Sequence, residues 1–447
     1  MNKVLRDVWL VDYARTAFSR SRPGAPERDV FGEIRGDSLL SLLLKDMMEN
    51  RLADKGIGSK DIDTFTVGAA FSVGEHWTYG GKFPTWFAGI DVRTSCQSLD
   101  KQCGSAAAGF NLAFLEIATG YSKIAISSGM EHLTRVPMGI QNKWILPNLT
   151  AASKTSPLYN AKYARKGEYD LLIATDMLST AQKLFEEEIP TFTKEDMDKF
   201  GVRAHNLTIK SQEEGWFTSG VNGGEIIPIE GHVEGNPDEP LMVDKDMAAR
   251  KSTLEGVAGL RPVSKPHFIK KTAKGQDLGR QGYQDFVGSK DGVITAGNAS
   301  PLNAGATACV LMDAEEAKKR GINPLAKIVS IGFAGVDPTV MGRGPVPATK
   351  MALQHAGLTA DDIDFWEINE AFCIVTLNCM DKLNIPEEKV NVKGGSTAIG
   401  HPLGATMCRL IGTVGRIIKD KGAKYGCANA CCGGGQGVAV VLENLDA

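Results

Sequence analysis

The sequence predicts an α/β protein made of two related halves with a polar segment inserted between them. Three observations carry this. Two sixteen-residue stretches, GIGSKDIDTFTVGAAF (56–71) and GLTADDIDFWEINEAF (357–372), align without gaps 301 residues apart and share six positions: the leading Gly, the Asp-Ile-Asp and the closing Ala-Phe. Each follows an amphipathic helical stretch and runs on into β-branched and aromatic residues of strand character. Helices and strands alternate in both halves, which is the pattern of α/β layers.

Taken in chain order, the N-terminal VWLVDYARTAF reads as a first strand. CGSAAAGFNLAFLEIATG (103–120) reads as a helix that opens on small residues and leads to a strand, KIAISSGM (123–130). GHPLGATMCRLIGTVGRIIKDKG (400–422) reads the same way before YGCANACC (425–432). The offset of 301 carries Cys103 to position 404, three residues past His401. Two-fold-related halves therefore bring two helix N-termini face to face, one with a thiol and one with an imidazole. Residues 135–291 are polar and loop-rich, with charged helical patches, and read as an inserted loop or cap domain. The predicted division is 1–134 as an N-terminal half completed by a return strand in 292–317, 135–291 as the insertion, and 318–447 as the C-terminal half.

Composition excludes several classes. With 447 residues, 43% hydrophobic and 23% charged, the chain resembles an ordinary globular protein with ample core. A net charge of −3 leaves no basic excess for general nucleic-acid binding. KPHFIKK (265–271) is a local basic spot suited to a smaller anion. No apolar run approaches the ~20 residues that span a bilayer. Charges run through the region a signal peptide needs apolar, so no secretion signal and a cytoplasmic location are expected. Nine cysteines at irregular spacings form neither a disulfide framework nor zinc knuckles; reduced thiols and no metal are expected.

The candidate chemistry sits in four segments. Cys103 opens a helix, where exposed N–H groups and the macrodipole stabilise a thiolate, and Gly104, Ser105 and three alanines leave room above the sulfur. His401, among Gly395, Ala398, Gly400, Gly404 and Ala405, has a backbone around it bare enough for a ligand's close approach. A structural histidine that caps its own helix and a base that lowers the thiol's pKa while donating to a developing oxyanion both fit His401 here, and the glycines favour the second. ACCGGGQGVAVVLE (430–443) sets Cys431 and Cys432 before three glycines and a strand. Core filling beside a hairpin and an anion-receiving turn both fit those cysteines. Asn369 in INEAF suits either turn chemistry or the orientation of an imidazole.

NEAF (369–372), GGSTAIGHPLGAT (394–406), CCGGGQGVA (431–439), GVITAGNASPLNAGA (292–306), DKQCGSAAAGF (100–110) and SGMEHLTRVPM (128–138) together resemble the signature segments of the thiolase family, in that family's order. The resemblance implies a thiolase-like duplicated five-layered αβαβα arrangement with an inserted loop domain. It implies Cys103 as the acylated nucleophile, His401 as its activator and Cys431 as the second, acid/base cysteine. Asn369 would fix a water beside His401 in one oxyanion hole, and the N–H groups of Cys103 and Gly433 would form the other. Ser300 would meet the coenzyme A arm, together with Arg250, Ala371 and Phe372. The implied activity is CoA-dependent thiolysis of a 3-oxoacyl-CoA, or the reverse Claisen condensation, in a homodimer or homotetramer. Coenzyme A is then a substrate, with no tightly bound cofactor.

Three departures from the family pattern are Ala106, Met407 where Gly is common, and Ala304 where Asp is usual. The stretch 142–170 replaces the familiar covering loop, and VGEHWTYGGKFPTWFAG (73–89) is unusually aromatic, which points to a larger or aromatic acyl group. A decarboxylating ketoacyl-synthase-type enzyme shares the Cys, His and Asn set, but Cys431 counts against it. A cysteine protease does not account for the duplicated halves. A thiolase-like subunit that needs a small accessory chain for activity is compatible with the same residues.

Overall fold

The structure, a computed structural model, describes residues 5–138 and 170–447. The duplication governs it. Strands β1 (Val8–Arg15), β2 (Ser19–Arg20), β3 (Thr64–Gly68), β4 (Ser95–Leu99), β5 (Ile124–His132), β6 (Ile229–Val233), β7 (Asn236–Val243) and β8 (Asn303–Asp313) precede β9 (Ala326–Gly335), β10 (Phe365–Ile368), β11 (Tyr425–Cys432) and β12 (Gln436–Glu443). A ten-stranded sheet runs β10-β11-β12-β9-β1-β8-β5-β3-β4, with β2 beside β8. The halves join where β1 meets β9 antiparallel, Trp9 opposite Lys327 and Leu10 opposite Ala326.

Each identical position of the repeat has a physical use in both halves. Gly56 and Gly357 stop the preceding helical stretches in the left-handed conformation, at φ of 66° and 68°, which only glycine adopts without strain. Asp61 and Asp362 accept from the N–H three residues earlier, Gly58 at 2.8 Å and Thr359 at 2.7 Å. Ile62 and Ile363 are buried. Asp63 accepts from the N–H groups of Lys123 and Ile124 at 2.7 and 3.2 Å. Asp364 accepts from those of Lys424 and Tyr425, both at 2.9 Å. These carboxylates seat β3 parallel to β5, Thr64 opposite Ala125, and β10 parallel to β11, Phe365 opposite Gly426. The Ala-Phe pairs then end each repeat beside the site.

Helix α1 (Gly36–Asp46) covers the outer face of the first half-sheet, followed in sequence by α2 (Lys82–Phe87) and α3 (Ser105–Ala118). In the later chain come α4 (Met177–Glu188), α5 (Lys194–Glu213), α6 (Pro345–Ala356), α7 (Cys373–Leu383), α8 (Ser396–Ile399) and α9 (Thr406–Lys421). Strand periodicity sorts side chains into layers. On β12, Val438, Val440 and Leu442 join Phe110 of α3 and Leu410 of α9 in one core, while Ala439 and Val441 join Ala348 of α6 and Ile374 of α7 in another. On β1, Val8 and Leu10 face the α3–α9 core, and Val11 joins Leu40 and Leu43 of α1. The result is five layers: helix, half-sheet, the α3–α9 pair, half-sheet, helix.

The described part of 135–291 divides between the halves. Leu184 and Phe185 of α4 and Met197 and Phe200 of α5 pack with Val340 and Val375. The β6–β7 hairpin lies on the first half, where the His232 N–H donates to Val30 O at 2.9 Å. Most of the stretch 142–170 falls outside the described residues.

The inner layer permits no added bulk at β5. A Cβ at Gly129 would lie 2.1 Å from Gly404 O and 2.8 Å from Ala405 Cα, backbone atoms of the loop between His401 and α9. Gly129→Ala is therefore expected to lower stability by about 1–3 kcal/mol through overpacking, read as a lower denaturation midpoint at unchanged m-value.

Candidate active site

The repeated units end at the same end of both half-sheets, and loops from each converge there. Cys103 lies in the tight turn Gln102–Gly104 just before α3. The turn is held by its neighbours: Asp100 Oδ1 accepts from the Gln102 N–H at 2.8 Å, and Ser105 Oγ donates to Gln102 O at 2.6 Å. Gln102 itself takes φ of 52°. Gly104 is required here, because a Cβ would come within 2.6 Å of Cys432 Sγ.

His401 arrives from the other half, on the loop ahead of α9. Its N–H donates to Asn303 Oδ1 at 2.9 Å. Thr406 Oγ1 donates to Pro402 O at 2.9 Å, so it accepts from His401 Nδ1 at 2.6 Å. The ring proton therefore sits on Nδ1 and the lone pair on Nε2. Asn369 Nδ2 lies 3.4 Å from that Nε2. Glu131 of β5 ties the loop to the first half: it accepts from Gly404 N–H and Ala70 N–H, each at 2.8 Å, and pairs with buried His76 at 3.0 Å.

A cavity of about 450 Å³ opens over these groups and is lined by both Cys103 and His401. Cys103 and His401 are 6% and 4% exposed, and both reach its wall. Ser300, Arg250, Ala371 and Phe372 also line it, and Ser300 Oγ donates to Ala371 O at 3.0 Å. Asn369 stands behind His401, and the Gly433 N–H faces the Cys103 sulfur; neither lines the cavity. Cys431 is fully buried and contributes no cavity surface, although its thiol is close enough to Cys103 for their charges to oppose each other. It shares a core with Met341, Ala371 and Phe372, which do form wall.

The thiol is not pre-ionised. The helix-terminus argument predicts a stabilised thiolate, but burial outweighs it and pushes Cys103 up to about 12. The N–H groups of Gly433 and Cys103 pull the other way, while Glu131 and Asp100 add to the rise. Burial, reinforced by Arg409, lowers His401 to about 3. Burial also lifts Cys431 well above an ordinary thiol, with Cys103 and Cys432 adding to the rise. The resting site thus holds a neutral thiol and a neutral imidazole.

Two arginines escaped the sequence reading. Arg20 and Arg22 line the cavity with Arg250, and their mutual repulsion, added to burial, lowers the pKa of Arg20. The signal was available in SRSR (19–22), but only the fold carries it to the cavity. Two stretches singled out in the sequence lie away from the cavity. KPHFIKK is not in the cavity wall; the His267 and Ile269 N–H groups donate to Glu186 at 2.7 and 3.1 Å. The aromatic stretch 73–89 also lies off the wall, with Trp77 56%, Tyr79 57% and Phe87 65% exposed. The described wall is instead aliphatic and sulfur-bearing, with Leu133, Met177, Leu178, Val263 and Met341, and Phe372 as its aromatic ring.

Comparison with known proteins matches the sequence profile described as Thiolase, N-terminal domain, over residues 8–272, and that described as Thiolase, C-terminal domain, over 322–444. The 3-ketoacyl-CoA thiolase of Marinobacter nauticus is 33% identical over 443 residues, covering 98% of this chain and 99% of that protein. The protein of the same name from a Marinomonas species is 31% identical over 444 residues, covering 98% of each. Among solved structures, human mitochondrial 3-ketoacyl-CoA thiolase superposes with a TM-score of 0.77 at 25% identity, covering 99% of this chain and 100% of that one. The acetyl-CoA acetyltransferase of Bacillus anthracis gives the same score and coverage at 26% identity.

A thiol held near 12 is protonated throughout the neutral range, so its thiolate fraction grows with pH well past the free-thiol value. Alkylation of Cys103 by iodoacetamide is expected to accelerate about tenfold per pH unit through and above ~8.5, with no plateau there. Mass-spectrometric labelling rates measure this, and a plateau near neutrality contradicts a protonated resting thiol.

Proposed function

The chain belongs to the thiolase family, a family of acyltransferases, and we propose that it acts as a 3-oxoacyl-CoA thiolase through a Cys103-bound acyl intermediate. One observation carries the residue assignment: Cys103, His401 and three arginines share a single cavity although they come from loops far apart in the chain. A thioester with an anionic carrier needs that combination, a nucleophile and base at one place and cations at another. Arg20, Arg22 and Arg250 suit the phosphates of coenzyme A, and the apolar wall suits an aliphatic acyl chain better than an aromatic one.

In the thiolytic direction, the Cys103 proton passes to His401 Nε2 as the sulfur attacks the keto carbon. The bond between carbons 2 and 3 breaks, and its electron pair leaves with the acetyl thioester as an enolate. The Cys431 S–H supplies the proton to carbon 2, and acetyl-CoA departs. Coenzyme A then gives its thiol proton to Cys431 and attacks the acyl group on Cys103, which leaves as thiolate and recovers its proton from His401. The N–H groups of Cys103 and Gly433 suit one oxyanion and His401 the other; removing one such donor typically raises the barrier by ~3 kcal/mol. Coenzyme A enters and leaves as substrate in this scheme.

We also read the chain as a homodimer. Among the described residues β4 pairs only with β3, leaving its outer edge open beside the exposed Trp77, Tyr79 and Phe87. An open strand edge next to an apolar face suits a second copy. Analytical ultracentrifugation is expected to give twice the chain mass, and Phe87→Asp to shift it toward the monomer; a wild-type chain that sediments as a monomer removes this reading.

The decisive assay offers the purified chain coenzyme A with 3-oxoacyl-CoA compounds of graded length. Turnover is expected with aliphatic chains and none with Cys103→Ser. Cys431→Ala is expected to keep acyl transfer onto Cys103, seen as a mass increment, while condensation falls at least about 100-fold. Because Cys431 contributes no cavity wall, that variant decides its part. Normal turnover by it ends the two-cysteine division of labour.

A further inference from the structure

Behind His401 lies a chain of buried polar groups that the reaction scheme leaves unused. Arg409 of α9 is fully buried and ion-paired through Nη1 to Glu367 of β10, also fully buried. Its Nη2 donates to Ser396 Oγ at 2.7 Å. Ser396 Oγ lies 2.7 Å from Asn369 Oδ1, and Asn369 Nδ2 lies 3.4 Å from His401 Nε2. All of these side chains are buried, so water is a poor substitute for any link.

The donors and acceptors along this chain can be assigned from its charged end. A guanidinium has no acceptor, so Ser396 Oγ must accept from Arg409. The one serine proton is then turned toward Asn369, which must present an oxygen to receive it. An amide's two ends are distinct, so fixing Oδ1 on Ser396 turns the NH2 toward the imidazole. A donor facing Nε2 disfavours a proton there, and the Thr406 contact independently places the ring proton on Nδ1. Reversing the amide would put Oδ1 against Nε2. That arrangement would favour an Nε2 proton in the resting state, leaving no lone pair for the Cys103 proton. It would also hold the imidazolium N–H after transfer, when a substrate oxygen needs it. The observed 3.4 Å contact is long enough to be given up as the proton arrives.

We propose that Ser396, clamped by the Arg409–Glu367 pair, is a positioning residue: it orients the Asn369 amide so that His401 keeps Nε2 free as acceptor and, once protonated, available as donor. Arg409 reaches the imidazole through Ser396 and Asn369 and touches no substrate. This rests on the functional reading above for its kinetic consequence, though not for its hydrogen bonding.

The test replaces Ser396 with Ala and with Thr. Ser396→Ala removes the donor to Asn369 while leaving the Arg409–Glu367 pair; Ser396→Thr restores a hydroxyl. Ser396→Ala is expected to lower kcat for thiolysis about tenfold with KM for both substrates within about twofold, and Ser396→Thr to recover most of it. The alkylation rate of Cys103 at fixed pH is expected to fall several-fold in Ser396→Ala and recover in Ser396→Thr. That second readout needs no acyl substrate, so an inactive wild type overturns the functional reading while alkylation still judges the relay. Wild-type alkylation and kcat in Ser396→Ala overturn the positioning role. Equal losses in both variants, together with a lowered unfolding midpoint, overturn it as well and mark Ser396 as a packing residue.

Discussion

Two helices, α3 and α9, lie between the half-sheets, α9 buried from Thr406 to Ile418 and α3 buried at its first turn and along its inner face, and these first turns must press against strand ends to fit there. That burial is the constraint from which the site follows. It places the turn before each helix, one bearing Cys103 and the other His401, at the same end of the molecule. The contact is made by backbone, since Gly129 meets Gly404 and Ala405, and Glu131 accepts from Gly404 N–H on one side and Ala70 N–H on the other. A duplicated fold thus becomes a single site only because its two halves share one buried layer.

The same burial sets the electrostatics. Deep thiols and imidazoles lose the hydration that favours their charged forms, so the thiol rises and the imidazole falls. The pair rests neutral, and in the proposed reaction ionisation waits until a substrate carbonyl can receive the charge. In that reaction the N–H groups of Cys103 and Gly433 contribute most in the transition state, where negative charge appears on the carbonyl oxygen, rather than by stabilising a resting thiolate. Arg409, a full buried charge near His401, is kept by its ion pair with Glu367, whose carboxyl burial pushes up while the guanidinium pulls it down.

Cations gather elsewhere in the cavity. Arg20 and Arg22 follow β1, Arg250 follows the β6–β7 hairpin, and their mutual repulsion is tolerable where an anion enters between them. The polar insertion shapes the cavity by lending pieces to both halves: Met177 and Leu178 from α4, and Val263 and Arg250 from the loops beyond the hairpin.

What the sequence determined by itself was whatever depends on short-range chemistry. The left-handed helix stops at Gly56 and Gly357 and the turns at Asp61 and Asp362 recur because each is made within a few residues, and the strand seats at Asp63 and Asp364, made 60 residues on, recur because both halves keep the same spacing. The duplication and the segments bearing Cys103, Asn369 and His401 were legible for that reason. Tertiary structure alone decided the rest. A cysteine's ionisation depends on how much protein covers it, so the protonated state of Cys103 and the enclosure of Cys431 had no local signature. The inclusion of Arg20 and Arg22 in the cavity, the exclusion of the aromatic stretch 73–89 and the orientation of the Asn369 amide each depend on residues remote in the chain. Propensity and spacing describe neighbours along a polypeptide, whereas desolvation and hydrogen-bond direction are set by neighbours in space.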